Sequence, residues 1–271
     1  MGVPRVSVLS MSTLKTGDCR VAAASGGIDA LGQFRLVPVL GPLGRDLLFT
    51  QSNLMMVVAS VLVLALMWFG PRPRAMVPGR LQSAAEMAYE TVMSMCVDTI
   101  GLEGKAFFPF VFTLFFFILF GNLLGVWTFD FTFTSHIAVT LALSLLVFVL
   151  VTFVALRIHG LHFFSYFMPA GVPMALAPLL IPIEILSYLS RIISLSVRLF
   201  ANMMAGHVML EVFGAFVIML GGAGLLGIVP AALSFSVNVA LIGFELLVAV
   251  LQAYVFAVLT CIYLHDAVHL H

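Results

Sequence analysis

Two apolar stretches, Met174 to Leu220 and Ala231 to Leu264, are separated only by a glycine-rich turn, and each is longer than a perpendicular membrane crossing requires. At 1.5 Å per residue the first would extend about 70 Å as a continuous helix, against a hydrocarbon core of roughly 30 Å. A helix of that kind must tilt steeply, bend or break. Pro178 and Pro182 offer a bend near its start, and Gly221-Gly222-Ala223-Gly224 through Gly227 and Pro230 supply the turn of a hairpin. The composition agrees with a membrane-embedded chain, since 62% of the 271 residues are hydrophobic, 9% are charged and the mean hydropathy is +1.19. A formal net charge of zero provides no basic excess for a nucleic-acid partner and leaves the few Lys and Arg residues as topology markers.

Three further apolar runs precede the hairpin. Residues 54–69 form a first span, stopped by Gly70-Pro71-Arg72-Pro73-Arg74; Arg72, Arg74 and Arg80 then face the inner side. Residues 81–100 mix Gln82, Glu86, Glu90 and Asp98 with Met and Val, the pattern of an amphipathic helix lying on the membrane. Residues 106–127 and 136–156 read as two spans joined by Thr128 to Ser135, and Arg157, His159 and His162 return to the basic side. The fold class expected is therefore an all-α integral membrane protein. It has about five crossing helices and a surface helix, with the long hairpin at 174–220 and 231–264, the N-terminus outside and the C-terminus inside. Residues 51–271 read as a single membrane domain and residues 1–50 as an N-terminal extension on the outer side. Arg5, Lys15 and Arg20 among serines are reminiscent of an organellar transit peptide, while Asp18 and Asp29 count against one. No internal repeat supports a transporter built from duplicated halves. Cys19, Cys96 and Cys261 lie far apart in sequence and form neither a disulfide framework nor a metal spacing.

Polar residues inside the hairpin carry the functional signal. A charge at membrane depth costs roughly 2.5 to 3.5 kcal/mol on insertion scales, so it is normally paired, facing a cavity or part of an ion path. At 100° per residue, Glu184, Arg191, Arg198 and Asn202 share one face, whereas His207, nine positions beyond Arg198, points the opposite way with Glu211 one turn after it. In the second helix Asn238, Glu245 and Gln252 recur every seven residues on one face. A hairpin places residues of equal index sum at equal depth, which sets Arg198 level with Gln252 and His207 level with Glu245. A guanidinium keeps its proton and can hold an anion without relaying protons, whereas imidazole and carboxylate do relay them. The pattern describes two half-paths that do not meet, one at His207 and Glu245 and one at Glu184, with Arg198 between them. A mobile carboxylate from a partner would carry each proton around the arginine.

Simpler readings apply to several of these positions. As a structural pair Arg198 would bind Glu245 or Asp130 of its own bundle and hold the fold, but depth sets Gln252 and not Glu245 beside it. Arg191, nearer the inner surface, is expected to snorkel to the headgroups. Glu211 either extends the path or bonds to His207, and Asn238 either lines a cavity or joins two helices. His207 with Glu211 gives two ligands at i,i+4 without a third, which is no zinc site, and H-E-x-x-H is absent. His265, Asp266, His269 and His271 read as a solvated tail, and the phenylalanine run 107–120 as core and lipid contact.

The segments Ile183-Glu184-Ile185-Leu186-Ser187-Tyr188-Leu189-Ser190-Arg191, Arg198-Leu199-Phe200-Ala201-Asn202-Met203-Met204-Ala205-Gly206-His207 and Glu245-Leu246-Leu247-Val248-Ala249-Val250-Leu251-Gln252-Ala253-Tyr254 resemble subunit a of the F-type ATP synthase. The resemblance runs from about Gln51 to His265. It implies that Arg198 is the family's essential arginine with Asn202 and Gln252 beside it, that His207 and Glu245 belong to an outer half-channel, and that Glu184 is the acid near the inner exit. Some bacterial relatives carry Glu and His in the reverse order at the positions of His207 and Glu245, which keeps the chemistry of the pair. The implied role is a non-catalytic, proton-translocating stator without cofactor or metal. Its implied partners are a c-subunit ring, a peripheral stalk of b-type subunits, other membrane-sector subunits and the bilayer. A mitochondrial inner membrane is favoured over a bacterial plasma membrane. The competing readings are an autonomous ion channel or secondary transporter, and an intramembrane metalloenzyme using His207 and Glu211.

Overall fold

The computed structural model describes residues 50–69, 79–128, 132–160, 177–222, 224 and 227–269. Among them the chain is all helical: α1 (Gln51–Phe69), α2 (Arg80–Ile100), α3 (Gly104–Thr128), a short 3-10 turn (Phe133–Ser135), α4 (Ile137–His159), α5 (Ala177–Gly221) and α6 (Ile228–Val268). All but α2 are long and apolar enough to cross a membrane, so the expected fold class, five spans and one amphipathic helix, is the one found. The extension at 1–49, the linker carrying Arg72 and Arg74, and Asp130, His162 and the start of the first long stretch at 174–176 lie outside the described residues.

Sequence periodicity explains how each helix is placed. In α2, Gln82, Val92, Met95, Cys96 and Ile100 are buried while Glu86, Glu90 and Asp98 stay exposed, so one stripe packs inward and the acids line the other. α3 is apolar on every face apart from Lys105 at its start and Asn122. Its Phe108, Phe112 and Phe116 stack along one side at ring separations of 5.4 and 4.6 Å, and with Phe115 they fill the core between α2, α3 and α6. The phenylalanine run is thus largely core. α6 presents a stripe of small residues, Ala249, Ala253, Ala257 and Cys261, all fully buried, which lets its neighbours approach closely.

α5 extends for 45 residues, about 66 Å, with Pro182 inside it, so the long stretch neither breaks nor restarts. α5 and α6 pack along one another, and the hairpin turn contains Gly224 at φ 77°, a conformation that glycine adopts without the steric cost of a Cβ. Over an apolar stretch of 18 residues only 11% of α5 is buried by the chain, against 44% in α3 and the lowest share among the five spans, so α5 offers the barest flank of the bundle.

One contact is new here and one expectation changes in part. Cys96 and Cys261, 165 positions apart, meet in the core with Sγ atoms 3.8 Å apart, both free thiols that join α2 to α6. Sequence distance hid a spatial contact. Of the residues read as a solvated tail, His265 and Asp266 belong instead to α6, which continues to Val268 with Leu264 and Ala267 buried against the bundle, whereas His269 follows the helix and is exposed; the His159 ring bonds the Val268 carbonyl at 3.2 Å. His271 lies outside the described residues.

Candidate functional site

Midway along α5, Arg198 and Asn202 lie exposed on the bare flank, one turn apart. Among the described residues no carboxylate lies within ion-pair distance of Arg198. The Asn202 amide donates to Gln252 Oε1 at 2.9 Å, and Gln252 is itself buried at 2% exposure. Gln252 therefore stands beside the Arg198–Asn202 turn, bonded to Asn202. Its Nε2 has no hydrogen-bond partner among the described residues.

His207 faces the other way, into the chain, as nine helical steps from Arg198 require. It is 5% exposed and lies 3.6 Å from Glu245, which is 3% exposed. Gly206 makes room for this pair, because a Cβ there would sit 3.1 Å from Glu245 Oε1. Neither Glu245 oxygen accepts a hydrogen bond among the described residues. A buried carboxylate and a buried imidazole within 4 Å form a pair through which one proton can be exchanged.

The depth rule also holds further along the hairpin, where Asn238 Nδ2 lies 3.8 Å from a Cβ built on Gly214. Asn238 and Glu211 are both half-buried toward the turn end of the hairpin from the His207–Glu245 pair. Glu184 is half-buried two helical turns before Arg191, at the opposite end of α5 from Glu211. The structure thus brings His207 to Glu245 and Asn202 to Gln252, and leaves Glu184 apart from both pairs. No group of three His, Cys, Asp or Glu side chains able to hold a metal occurs among the described residues.

Arg191 does not behave as a snorkelling side chain. Its guanidinium pairs with Asp266 at 3.2 Å and lies over the rings of Tyr188 and Tyr263 at 5.6 and 5.0 Å. The reason is that α6 continues to Val268 packed against the bundle, which delivers Asp266 to a half-buried arginine; Tyr188 is held in turn by the Thr152 hydroxyl at 2.8 Å.

Sequence reading also missed a set of neutral polar residues around the α3–α4 connection. Thr132 Oγ1 lies 2.5 Å from His207 Nε2, Thr134 donates to Asn122 Oδ1 at 2.8 Å, and Asn122 Nδ2 donates to the Ala249 carbonyl at 3.3 Å. Thr132, Thr134 and Asn122 are all buried. Across α4 and α5, Thr140 and Ser196 hydroxyls meet at 3.2 Å. The connection lies so close to α3 because Gly121 and Gly125 carry no Cβ: one would collide with the Phe133 ring and the other with the Thr132 side chain. The available signal was Asn122 itself, an amide inside an otherwise apolar span, together with glycines spaced four apart on the same helix.

The sequence profile described as ATP synthase A chain matches residues 53–265. The chain belongs to the family of ATP synthase subunit a. It is 67% identical to the ATP synthase subunit a of Gluconacetobacter diazotrophicus over 246 residues, which is 91% of this chain and 99% of that protein. It is 64% identical to that of Granulibacter bethesdensis, over 92% of this chain and all of that protein, and 51% identical to that of Rhodospirillum rubrum, over 88% and 98%. As a member of this family the chain is a membrane subunit of the ATP synthase and not its catalytic part, and other subunits of that complex are its partners. The relatives are bacterial, which points a multi-pass chain of this kind to a bacterial plasma membrane and leaves the expected mitochondrial inner membrane without support.

Proposed function

We propose that the chain is the proton-translocating stator of the membrane sector. In this reading it forms two offset half-channels that load and unload carboxylates on a rotating c-subunit ring. The observation that carries the reading is Arg198, a permanent cation at mid-helix on the least covered flank, with no acid of its own chain within ion-pair distance among the described residues. Such a charge is costly at membrane depth without a counter-charge, and a partner's carboxylate supplies one.

The outer half-channel runs past Asn238 and Glu211 to His207 and Glu245. The proton passes from that pair to a ring carboxylate, which turns through lipid as a neutral acid and discharges toward Glu184 on the inner side. Arg198, with Asn202 and Gln252 beside it, holds the deprotonated carboxylate and keeps the two half-paths apart. One elementary charge falling through 100 mV releases about 2.3 kcal/mol, and the ring accumulates several such steps. The His–Glu pair suits protons over sodium, since both groups exchange a proton and imidazole is a poor ligand for a hard alkali cation. A b-type peripheral stalk holds the stator against the torque. Substituting Arg198→Ala in the assembled complex tests the reading: coupled ATP synthesis should vanish and a passive proton leak appear, whereas retained synthesis rejects the barrier role.

A further inference from the structure

We propose that Thr132 is a positioning residue for His207, satisfying the imidazole Nε2 in both of its protonation states while the proton passes to Glu245. The inference rests on the placement of His207 and Glu245 in the outer half-channel and adds a third member to that pair. Among the described residues Nε2 lies near two oxygens, Thr132 Oγ1 at 2.5 Å and Glu245 Oε1 at 3.6 Å. The hydroxyl is therefore the closer partner, and it is buried at 1% exposure, where an unmade hydrogen bond is costly.

A hydroxyl suits this place because it both donates and accepts. With His207 as imidazolium, Nε2–H donates to Thr132 Oγ1. When the ring turns that N–H from Thr132 toward Glu245 Oε1, 3.6 Å away, and the proton moves to the carboxylate, the N–H bond breaks and a carboxylic O–H forms. The product is a neutral imidazole with its proton on Nδ1 and a bare Nε2. Thr132 then rotates its own O–H to donate to that nitrogen. No proton is gained or lost by Thr132, and neither state leaves Nε2 unpaired, so the two states lie closer in energy than with an apolar neighbour. Among the described residues, the titratable and polar groups around the imidazole include Glu245 from α6, neutral Thr132 from the α3–α4 segment, and Glu211 one turn along α5 itself.

The fold holds Thr132 in place rather than merely admitting it. Its carbonyl accepts the Ser135 N–H at 3.1 Å and the Ser135 hydroxyl, and Thr134 anchors the next turn to Asn122, which is bonded to α6 through the Ala249 carbonyl. Gly125 leaves the space that the Thr132 side chain occupies. Three elements thus fix one hydroxyl against one nitrogen.

The test compares Thr132→Val, Thr132→Ser and His207→Ala in the intact ATP synthase in membrane vesicles, reading ATP-driven proton pumping from pH 6 to 9 with subunit a content measured in parallel. Thr132→Val, nearly isosteric but without the hydroxyl, is expected to assemble, to slow pumping about tenfold and to displace the pH profile, while Thr132→Ser keeps both near wild type. A Val variant with the wild-type rate and profile overturns the proposal. If Val fails to assemble, Thr132→Cys replaces it, whose thiol is a weak hydrogen-bonding group: a displaced profile supports the proposal and an unchanged one overturns it. His207→Ala separates the two levels, because full pumping there rejects the half-channel itself, whereas lost pumping there beside an unaffected Thr132→Val rejects the positioning role alone.

Discussion

Adding one methyl group at Gly125 is the sharpest probe of how the α3–α4 connection is seated. A Cβ at Gly125 would stand 2.6 Å from Thr132 Cβ and 2.8 Å from its Cγ2, and nearer still to the hydroxyl, whereas carbon atoms settle at about 3.5 to 4.0 Å. Thr132 must then retreat by about 1 Å, and it cannot do so alone because Ser135 holds its carbonyl and Thr134 is tied to Asn122. Overpacking of this kind costs about 1 to 3 kcal/mol, and losing the Thr132–His207 hydrogen bond adds about 1. Glycine to alanine inside a helix returns about 1. The net expectation for Gly125→Ala is a loss of about 1 to 3 kcal/mol confined to the connection. Hydrogen exchange reads this locally: the amides of Ser135 and His136, bonded to the Thr132 and Phe133 carbonyls at 3.1 and 3.2 Å, should lose about 10- to 100-fold protection while amides of α6 keep theirs. Unchanged exchange at both amides would refute the packing argument.

Other consequences follow from the same geometry. Asp266→Asn leaves a half-buried Arg191 without its counter-charge; the pair is 24% and 35% exposed, between surface and interior, so a double-mutant cycle with Arg191→Gln should give a coupling of about 1 to 2 kcal/mol, and a value near zero would show the contact to be incidental. Gly206→Ala should leave assembly intact, since α5 gains about 1 kcal/mol of helix propensity, yet slow proton-driven ATP synthesis several-fold by displacing the Glu245 carboxylate 3.1 Å from the new methyl; unaltered synthesis would mean that the His207–Glu245 geometry is not limiting. Treating membranes with molecular iodine, a small lipid-soluble oxidant, should join Cys96 to Cys261, whose sulfurs must close from 3.8 Å to about 2.05 Å, and mass spectrometry of proteolytic fragments should recover the bridged pair; its absence after complete thiol oxidation would contradict the α2–α6 packing.

Much of the hairpin was legible because helical phase and antiparallel depth are rigid constraints. Residues nine apart must face opposite ways, and residues of equal index sum must lie level, which is why His207 meets Glu245. The same rule stops at a precision of about one turn, so Gln252 is level with Arg198 but bonds to Asn202. Arg191 was misread because the phase of α5 says nothing about how far α6 continues; only its continuation to Val268 brings Asp266 within reach. Thr132 and Asn122 escaped notice for a different reason. Neutral hydroxyl and amide groups carry no insertion cost comparable to a charge, and short polar connections between spans look like solvent-facing loops until the glycines opposite them are recognised as seats. The Cys96–Cys261 contact, between residues 165 apart, has no sequence signature at all.

The central claim is that Arg198 looks outward to an acid that belongs to another subunit. A density map of the assembled membrane sector measures this directly. The account predicts the guanidinium on the ring-facing side of α5, next to Asn202 and Gln252 and within a few ångströms of a ring carboxylate. A guanidinium pointing into lipid, or bound to an acid of its own chain with no ring beside it, would contradict it.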